Sequence, residues 1–552
     1  MKRLFLSIGL ATSLALAQED PSAKIDRIFE DVNKPESPGV SVAVIKDGRV
    51  VFSKGYGSAN LEYAAPITPD TVFHVASVSK QFTAMALVLL EQEGKLALDD
   101  DLQKHLPDLP DYGKNVTVRQ LLQHTSGIRD QWQTLAVAGW RLDDIITQNQ
   151  ILQMLYRQKQ LNFDPGSEHL YSNGGYTLAA EVVRRVSGKT LRAFCEERIF
   201  KPLGMTHTHF HDDLRMIVKN RAVSYRPSRT GFENAPLNFE NVGATSLFTT
   251  AEDLARWLDN FRDPKVGGRA AVERLQEQAV LADGKKISYA LGVSVDEQRG
   301  LKRVSHGGGD AGFRSVVTWY PELNLGVALV SNLGSLNVGQ KAERVAEVFA
   351  ATQMKAEPAS STTAAKTVER VPVDPQRLAE HVGLYRAAQF GFIEVELKEG
   401  KLLASPPGAP RRELVPIAAE MFFVEAMNVE VKFGTEGDKK WMAIRPLQQA
   451  QPETRGERIS KELGESPRDL AGFSGLYWSD ELETQYRAVV EDGKLKLRHV
   501  RHGDIELRAI GGYFFSGSWF MSEVRFTRDA AGRITGLLAG GGRLRGIQFT
   551  RR

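Results

Sequence analysis

The last third of the chain contains one sequence pattern twice, and this repeat constrains the fold more than any other feature. Three pairs of segments match at an offset of 92 or 93 residues: 378–385 with 470–477, 400–402 with 493–495, and 431–433 with 524–526. Such a repeat indicates one structural module present in two copies. Each copy contains about eight short strands with closely spaced turn signals, which favours a small closed antiparallel barrel over an open sheet. A β-sandwich is the alternative for this pattern.

The part of the chain before the repeat mixes helices with antiparallel strands. An amphipathic helix is predicted at 22–33, a hairpin with an Asp-Gly turn at 39–56, and an apolar helix that begins near Ser77 and ends near Gly94. Further strands are predicted at 289–295, 303–306, 313–320 and 326–331, before a last helix at 340–350. The simplest architecture is an α+β domain, in which an antiparallel sheet is flanked by helices and interrupted by a helical insert.

Composition divides the chain further. A stretch rich in Ala, Ser, Thr, Pro and Lys predicts a linker after the α+β domain, and a second linker is predicted between the two copies. The expected segments are a signal peptide at 1–17, the α+β domain at 18–352, a linker at 353–374, a barrel at 375–450, a linker at 451–466 and a barrel at 467–552.

The first 17 residues combine a basic start, an apolar stretch and a small-residue end, as a signal peptide does. Cleavage is expected after Ala17, with a periplasmic or secreted mature protein. No later run of about 20 apolar residues occurs, so no stable membrane span is expected. With 71 basic and 68 acidic residues, no nucleic-acid partner is expected either. The single cysteine, Cys195, excludes an internal disulfide and is predicted to be buried packing.

Ser77 precedes Lys80 by three residues at the start of the apolar helix. This spacing places a hydroxyl and an amine on one helix face, one turn apart, as a nucleophile and its base require. Free backbone N–H groups and the positive end of the helix dipole favour negative charge beside Ser77. A Ser-x-x-Lys pattern also occurs by chance on surface helices, so the inference depends on partners elsewhere in the chain.

One candidate partner stretch carries Tyr171 and Asn173, two positions apart in a predicted loop after a Pro-Gly turn. Tyr171 could relay the proton of the Ser77 hydroxyl if a neighbouring cation such as Lys80 lowers its pKa. Asn173 could hold the Lys80 amine or a substrate amide.

The other candidate stretch begins with His306 at a strand end and continues with three glycines. Glycines leave the strand edge open, so that a substrate backbone could lie against it. Gly308 and Gly309 are therefore candidate substrate-binding residues. The N–H of Gly309 is the candidate partner of the Ser77 N–H in an oxyanion hole.

Taken in order, Ser77 to Lys80, Tyr171 to Asn173 and His306 to Gly308 resemble the three motifs of the serine beta-lactamase and penicillin-binding protein superfamily. The Tyr-x-Asn motif is similar to that of class C beta-lactamases, esterases and D-peptidases. A histidine in place of the usual third-motif lysine is similar to esterase and D-aminopeptidase members. This histidine makes a beta-lactam antibiotic a less expected substrate, because the lysine of other members helps to hold the antibiotic carboxylate. The two barrels resemble those of three-domain D-aminopeptidases, which are lipocalin-like and help shape the active-site entrance.

The resemblance implies an exported serine hydrolase that forms an acyl-enzyme on Ser77. Lys80 and Tyr171 would remove the hydroxyl proton, and Tyr171 or His306 would assist protonation of the leaving group. A D-aminopeptidase-like activity on small peptides or amides is the leading hypothesis, and a carboxylesterase is the alternative. A protein of a different class, a cell-wall-binding protein or sensor that is acylated without turnover, is also consistent with the motifs.

The expected partner is a small-molecule or short-peptide substrate, with no cofactor and no metal, and a homo-oligomer is left open. An aminopeptidase also needs an acidic group to meet the substrate ammonium. Asp480, Glu481 and Glu483 in the second barrel are the candidates, provided that their loop reaches the cleft.

Overall fold

The structure is a computed structural model that describes residues 20–355, 370–387, 391–406, 409–427, 429–446, 453–459, 463 and 469–552. The predicted signal peptide, most of the first predicted linker and half of the second lie outside the described residues, and their boundaries stay predictions. Within the second predicted linker, Thr454–Arg458 is a strand. Within the described part of the chain, no helix combines the length and the apolar composition needed to cross a bilayer.

A six-stranded antiparallel sheet forms the centre of the first domain. Its strands, in spatial order, are Ser294–Gln298, Leu301–Asp310, Phe313–Tyr320, Leu325–Ser331, Val40–Lys46 and Arg49–Tyr56. The last two are joined by Asp47 and Gly48, both with positive φ, as a tight hairpin turn requires. The predicted α+β fold class is confirmed: strands from both ends of the domain form one sheet, and the helical insert lies between them in sequence.

Helices cover the sheet and build the insert. The α-helices of this domain are Pro21–Ile28, Lys80–Gln92, Leu102–His105, Val118–Leu122, Gln131–Val137, Gln148–Tyr156, Asn173–Ser187, Leu191–Cys195, Lys201–Leu203, Ala251–Arg262, Gly268–Leu275 and Val338–Ala350. The helix Lys80–Gln92, here called the nucleophile helix, is buried on every side from Lys80 to Leu90. A helix that is apolar all round belongs in the interior of a domain, which explains its central position. Cys195 is buried, as predicted.

Short strands hold the loops around the nucleophile helix. They are Ser58–Asn60 with Ala65–Pro66, Phe73–His74 with Leu247–Thr249 and His209–Phe210, and Tyr225–Ser228 with Gly231–Asn234.

The strand predicted at 289–295 begins only at Ser294, where it pairs with Ser305. Of the residues before it, Tyr289 forms an isolated antiparallel bridge with Ser294, and Ala290, Leu291 and Val293 are buried outside the sheet. Gly292 lies so close to the Lys80 carbonyl that a Cβ would approach it to 2.8 Å. The neighbouring strand is longer than predicted and runs Leu301–Asp310, because its glycines continue the pairing with Phe313–Tyr320.

The first repeat folds into a nine-stranded antiparallel sheet. Its strands, in chain order, are Gly383–Ala387, Gly391–Lys398, Lys401–Ser405, Arg412–Glu413, Val415–Ala418, Met421–Val424, Val429–Glu436, Lys439–Pro446 and Thr454–Arg458. The two outermost strands, Arg412–Glu413 and Val415–Ala418, are separated only by the buried Leu414. Since one residue cannot span a wide gap, the sheet curls until its edges meet, and the barrel is nearly closed.

The second repeat is a closed eight-stranded barrel, so the predicted antiparallel barrel class is confirmed. Its strands are Gly475–Ser479, Thr484–Glu491, Lys494–His499, Gly503–Gly511, Phe514–Ser516, Glu523–Arg528, Ile534–Gly541 and Leu544–Arg551. The helix Pro375–Glu380 precedes the first barrel and the single turn Ala471–Phe473 precedes the second. An ion pair between Arg386 and Glu523 joins the two copies at 2.7 Å.

The second barrel packs against the first domain so closely that the two share one apolar core. That core contains Phe82 and Leu135 of the domain together with Leu497 and Phe549 of the barrel. The first barrel has a core of its own.

Polar contacts reinforce this shared interface. The Tyr486 hydroxyl donates to the Val137 carbonyl at 2.9 Å, and Arg129 forms a buried ion pair with Glu481. The two side chains of the pair are only 2% and 7% exposed.

Truncating Glu481 to alanine is expected to leave the Arg129 guanidinium buried without its charge partner. Removing one member of a buried pair costs about 3–5 kcal/mol, so the free energy of unfolding of the unit that contains the shared core falls by about that amount. Glu483→Ala is the matched control, because Glu483 pairs with Arg157 at 3.3 Å on the surface, with side chains 60% and 36% exposed. It should change stability by less than about 1 kcal/mol. Denaturant unfolding measures both values, and equal losses in the two variants would contradict the prediction.

Candidate active site

Ser77 lies on a strained turn at the start of the nucleophile helix. Ala76 has φ of 47°, in the left-handed region that costs a residue with a Cβ about 1–2 kcal/mol. The turn is held by Ser79, whose hydroxyl donates to the Ala76 carbonyl at 2.5 Å and accepts from the Leu247 N–H at 3.0 Å. Ser77 stays partly exposed while its neighbours are buried. The turn therefore leaves Ser77 accessible between buried neighbours.

The Lys80 amine has three oxygen neighbours. Nζ lies 3.1 Å from Ser77 Oγ, 2.8 Å from Asn173 Oδ1 and 2.6 Å from the Ala244 carbonyl oxygen. The Asn173 amide oxygen and the Ala244 carbonyl oxygen can only accept hydrogen bonds. A neutral amine that donates its two N–H groups to them directs its lone pair at the Ser77 hydroxyl.

Burial is the main reason that the pKa of Lys80 falls to about 7, and the positive charge of Arg543 lowers it further. The carboxylates of Asp310 and Asp130 act in the opposite direction. At neutral pH a large fraction of Lys80 is thus an uncharged amine and able to take up a proton.

Asp130 orients the Asn173 amide. One carboxylate oxygen of Asp130 accepts from the Asn173 N–H at 2.9 Å and from the Asn173 Nδ2 at 2.7 Å. Its other oxygen accepts from the Trp132 and Gln133 N–H groups at the start of the helix Gln131–Val137. Because Nδ2 is held by Asp130, Oδ1 must face Lys80.

Tyr171 packs its ring against the Lys80 amine, with Nζ 4.9 Å from the ring centroid. Burial raises the pKa of Tyr171 well above 10, and the nearby Ser77 hydroxyl and Arg543 guanidinium offset only part of this effect. The expectation that a cation would lower the pKa of Tyr171 below its usual value is therefore wrong, because desolvation is larger. Tyr171 is a protonated phenol at neutral pH. Among the described residues, its buried hydroxyl has no well-formed hydrogen bond.

His306 is buried, and both of its ring nitrogens have neighbours. Nε2 lies 2.9 Å from the Tyr289 hydroxyl and Nδ1 lies 2.7 Å from the Gly307 carbonyl oxygen. Since a carbonyl only accepts, Nδ1 carries the proton and Nε2 accepts from Tyr289. Burial and the nearby Lys80 lower the pKa of His306 to about 3, so the ring is neutral.

The glycines after His306 bring their strand against the Ser77 turn. A Cβ on Gly308 would come within 2.3 Å of the Val75 carbonyl oxygen, so only glycine fits there. The partner strand Ser294–Gln298 pairs no further than Ser305, which leaves the outer edge beyond it free of strand pairing. Gly309 lines the cleft at this edge.

The cleft is a cavity of about 740 Å³ between the first domain and the second barrel. The first domain contributes Asp130, Trp132, Gln133, Leu142, Asp143, Arg226, Ala235, Pro236, Phe239, Gly309, Asp310 and Ala311, and the barrel contributes Trp519, Gly542 and Arg543. The second barrel therefore forms one wall of the entrance.

The acidic residues expected to meet a substrate ammonium are engaged elsewhere. Glu481 pairs with Arg129, Glu483 with Arg157, and Asp480 accepts from the Trp478 indole at 2.7 Å. None of the three lines the cavity. The barrel reaches the cleft through a different turn, which lies at 541–544.

Sequence reasoning did not single out Asp130, Tyr289, Ala244 or Arg543 as functional residues. Asp130 has one local feature, since it is the N-cap of the helix Gln131–Val137 and aspartate is a common N-cap, but no helix is predicted there. The roles of the other three depend on chain segments far apart in sequence, and no local pattern marks them.

Comparisons with known proteins agree with this geometry. A family model described as Beta-lactamase matches residues 25–352. Protein flp of Staphylococcus aureus (strain MRSA252) is 29% identical over 338 residues, which cover 59% of this chain and 66% of that protein. A D-aminopeptidase of Brucella anthropi is 31% identical over 283 residues, which cover 50% of this chain and 53% of that protein. The match spans less than two thirds of the length of each relative.

Solved structures share the fold. An octameric penicillin-binding protein homologue from Pyrococcus abyssi aligns with a TM-score of 0.57 at 22% identity, over 80% of this chain and 100% of that chain. The D-amino acid amidase of Ochrobactrum anthropi SV3, in complex with L-phenylalanine amide, aligns with a TM-score of 0.51 at 24% identity, over 60% and 98%. At these identities the likeness establishes the fold.

Replacing Asp130 by asparagine is expected to lower the pKa of Lys80, because the carboxylate stabilises the ammonium form. Reaction of Ser77 with a fluorophosphonate needs the neutral amine, so its rate in the wild type falls as the pH drops through about 7. In Asp130→Asn the rate of labelling should fall at a lower pH than in the wild type. Asp143→Asn, on the same cavity wall, should leave the pH of this fall unchanged. An unchanged or upward-shifted profile in Asp130→Asn would contradict the electrostatic assignment.

Proposed function

The chain belongs to the beta-lactamase family, and we propose that it is an exported serine hydrolase that transfers an acyl group through Ser77. Its substrates in this proposal are small peptides or amides, as the name of the D-aminopeptidase relative indicates for that protein. The observation that carries the proposal is the Lys80 amine, 3.1 Å from Ser77 Oγ with its other two directions occupied by Asn173 and Ala244.

In the acylation step, neutral Lys80 takes the proton of the Ser77 hydroxyl while Oγ attacks the substrate carbonyl. The resulting ammonium has three N–H groups, and all three oxygen neighbours accept from it. No rearrangement of Lys80 is needed, because the same contacts serve both charge states. Asn173 and, behind it, Asp130 keep the amine in place.

The carbonyl oxygen becomes an oxyanion in this step. In the proposal it accepts from the backbone N–H groups of Ser77 and Gly309, at the helix start and at the open strand edge. Gly308 supports this arrangement, since the absence of a side chain lets the strand approach the Ser77 turn to within contact of Val75.

An amine leaving group must gain a proton as the C–N bond breaks. Tyr171 is the residue proposed for this transfer, because its buried hydroxyl is protonated and has no other well-formed partner among the described residues. It passes its proton to the amine and recovers one from the Lys80 ammonium. Water then enters, and neutral Lys80 takes a proton from it as the water oxygen attacks the acyl carbonyl. Lys80 passes this proton to Ser77 Oγ as the bond between Oγ and the acyl carbon breaks.

His306 is assigned a positioning role instead of proton transfer. Its Nδ1 proton is held by the Gly307 carbonyl, and its Nε2 accepts from Tyr289, so it offers no free proton to a leaving group. With the barrel carboxylates engaged elsewhere, Asp310 at the cavity wall is the proposed neighbour of a substrate amine.

A carboxylesterase is the second candidate. The neutral, fully hydrogen-bonded His306 favours it, because an alkoxide or phenoxide leaves without the protonation that an amine requires. The two activities use the same nucleophile and base and differ in their dependence on Tyr171.

Ser77→Ala is expected to abolish hydrolysis of 4-nitrophenyl acetate and D-alanine 4-nitroanilide, with a loss of at least about 10³-fold, and to end labelling by a fluorophosphonate. Ser79→Ala is the matched control: it loosens the turn but keeps the nucleophile and its labelling. Intact-protein mass spectrometry over time shows whether the adduct of the wild type with a slow ester disappears. A permanent adduct would support a binding protein or sensor that is acylated without turnover, and it would contradict the proposed hydrolase.

Tyr171→Phe is expected to lower kcat for the anilide by about 10²–10⁴-fold, the usual contribution of a general acid. The loss for the 4-nitrophenyl ester should be much smaller, because that leaving group departs as an anion. Comparing kcat for the two substrates in the same preparation is the measurement. Equal losses would remove Tyr171 as the leaving-group acid.

A further inference from the structure

The turn between the last two strands of the second barrel carries Arg543 into the cleft. The first domain holds the backbone of this turn on both sides. The Arg543 N–H donates to Gln133 Oε1 at 2.8 Å, its carbonyl accepts from Asn162 Nδ2 at 3.0 Å, and Gln133 Nε2 donates to the Gly541 carbonyl. Gly541 and Gly542 both have positive φ, which permits so tight a connection. Arg543 is therefore fixed relative to Ser77 by contacts that do not involve its side chain.

The guanidinium of Arg543 lies over the Tyr171 ring, with Cζ 4.7 Å from the ring centroid. This contact uses the flat face of the guanidinium and leaves its N–H edge available. Among the described residues Arg543 forms no ion pair. Arg545, two positions further, is paired with both oxygens of Glu168 at 3.0 and 2.9 Å.

The other charged groups that line the cavity have hydrogen-bond or ion-pair partners, but only Arg226 and Asp143 are paired with an arginine or a carboxylate of opposite charge. Arg226 is paired with Glu233, and Asp143 with Arg141. Asp310 contacts His74 at 2.9 Å, and the four hydrogen bonds that Asp130 accepts were described above. Among the described residues that line the cavity, Arg543 is thus the cation without a carboxylate partner. Asp130 and Asp310 keep their negative charges, which raise the pKa of Lys80. The third motif adds no positive charge, because His306 is neutral.

Apolar side chains line the same cavity. Trp132 and Phe239 stack with ring centroids 4.4 Å apart, and Trp519 of the barrel is 57% exposed beside them. Such surfaces bind the aliphatic or aromatic part of a small molecule, while a few polar groups fix its orientation.

We propose that Arg543 determines specificity by binding a carboxylate of the substrate, so that the preferred substrates are amides or esters that carry a carboxylate within side-chain reach of the bond attacked by Ser77. This inference rests on the proposed function. A guanidinium presents two parallel N–H groups that match the two oxygens of a carboxylate, and it keeps its charge at every physiological pH. The domain that carries the nucleophile and the barrel that carries the cation together form the site.

The test uses two matched pairs of 4-substituted phenyl esters on the full chain at about pH 8.5, where Lys80 is mainly neutral. One pair has the carboxylate in the acyl part, the mono-4-nitrophenyl ester of adipate against its methyl ester. The other has it in the leaving group, 4-acetoxybenzoate against its methyl ester. For at least one pair, the wild type is expected to favour the anionic member by about 10–100-fold in kcat/KM, mainly through KM.

Arg543→Gln should abolish this preference. Because the charge of Arg543 also lowers the pKa of Lys80, the quantity compared is the ratio of kcat/KM for the anionic and the neutral member, both measured on the same preparation. Arg543→Lys should keep part of it, since the charge remains without the paired N–H groups. Arg545→Gln is the control for a loosened interface and should keep the full preference. No preference in the wild type, or the same preference in Arg543→Gln, would overturn the proposal.

Binding without turnover separates this proposal from the proposed function. Ser77→Ala is titrated calorimetrically with the anionic adipate ester, alone and combined with Arg543→Gln. Binding that is at least about tenfold weaker in the double variant supports the carboxylate site even if the wild type hydrolyses neither ester. Equal binding in the two proteins overturns it even if Ser77 proves to be the nucleophile.

Discussion

The desolvation of the Lys80 amine is the condition on which the rest of the site depends. An exposed lysine has a pKa of about 10.4 and is charged at neutral pH, so it cannot accept a proton from serine. Here the amine is enclosed by Tyr171, by Tyr176 at 5.5 Å from its ring centroid, and by its oxygen neighbours Asn173 and the Ala244 carbonyl. The apolar nucleophile helix carries Lys80 into this enclosure. The three oxygen neighbours form hydrogen bonds with the amine and with the ammonium, so both charge states of Lys80 are stabilised inside the protein.

The second motif and the attachment of the second barrel use the same short stretch of chain. Arg129 forms the buried ion pair with the barrel, while its carbonyl accepts from the Ser172 hydroxyl at 3.0 Å. Asp130 orients Asn173, and Gln133 holds the turn that carries Arg543. Movement of the barrel would therefore be transmitted to the residues that surround Lys80. Binding of a substrate against the barrel wall and positioning of the base are physically connected through residues 129–133.

Much of the fold could be predicted from the sequence because its signals are local. The Asp-Gly hairpin, the largely apolar nucleophile helix and the individual strands of each repeat follow from short local patterns. The spacing of Ser77 and Lys80 belongs to the same class, since helix geometry alone places them together. The strand that begins at Ser294 is predicted to begin five residues earlier, because the residues before it are apolar. These residues are buried, and a short buried apolar run has the same sequence pattern whether or not it forms a strand.

The remaining features of the site arise from contacts between distant segments. The pKa of Tyr171 could not be read from its neighbours in sequence, since the balance between desolvation and nearby charge depends on the folded surroundings. The same holds for Glu481, which looked like a free carboxylate and is bound by an arginine 352 positions away. Arg543 is the clearest case: nothing near it in the sequence distinguishes it from Arg545, and only the folded interface leaves one paired and the other unpaired.

The position of the turn at 541–544 late in the sequence also affects the order in which the parts of the site form. Ser77, Lys80 and Asp130, the proposed nucleophile, base and orienting carboxylate, are synthesised hundreds of residues before this turn. Domains generally fold in the order in which they are made. A chain that lacks the second barrel would have an open groove instead of a cleft with two walls, and Arg129 would have lost its partner Glu481. Under the proposed role of Arg543, discrimination between substrates would then begin only once residues 541–544 are in place, so that reactivity precedes selectivity.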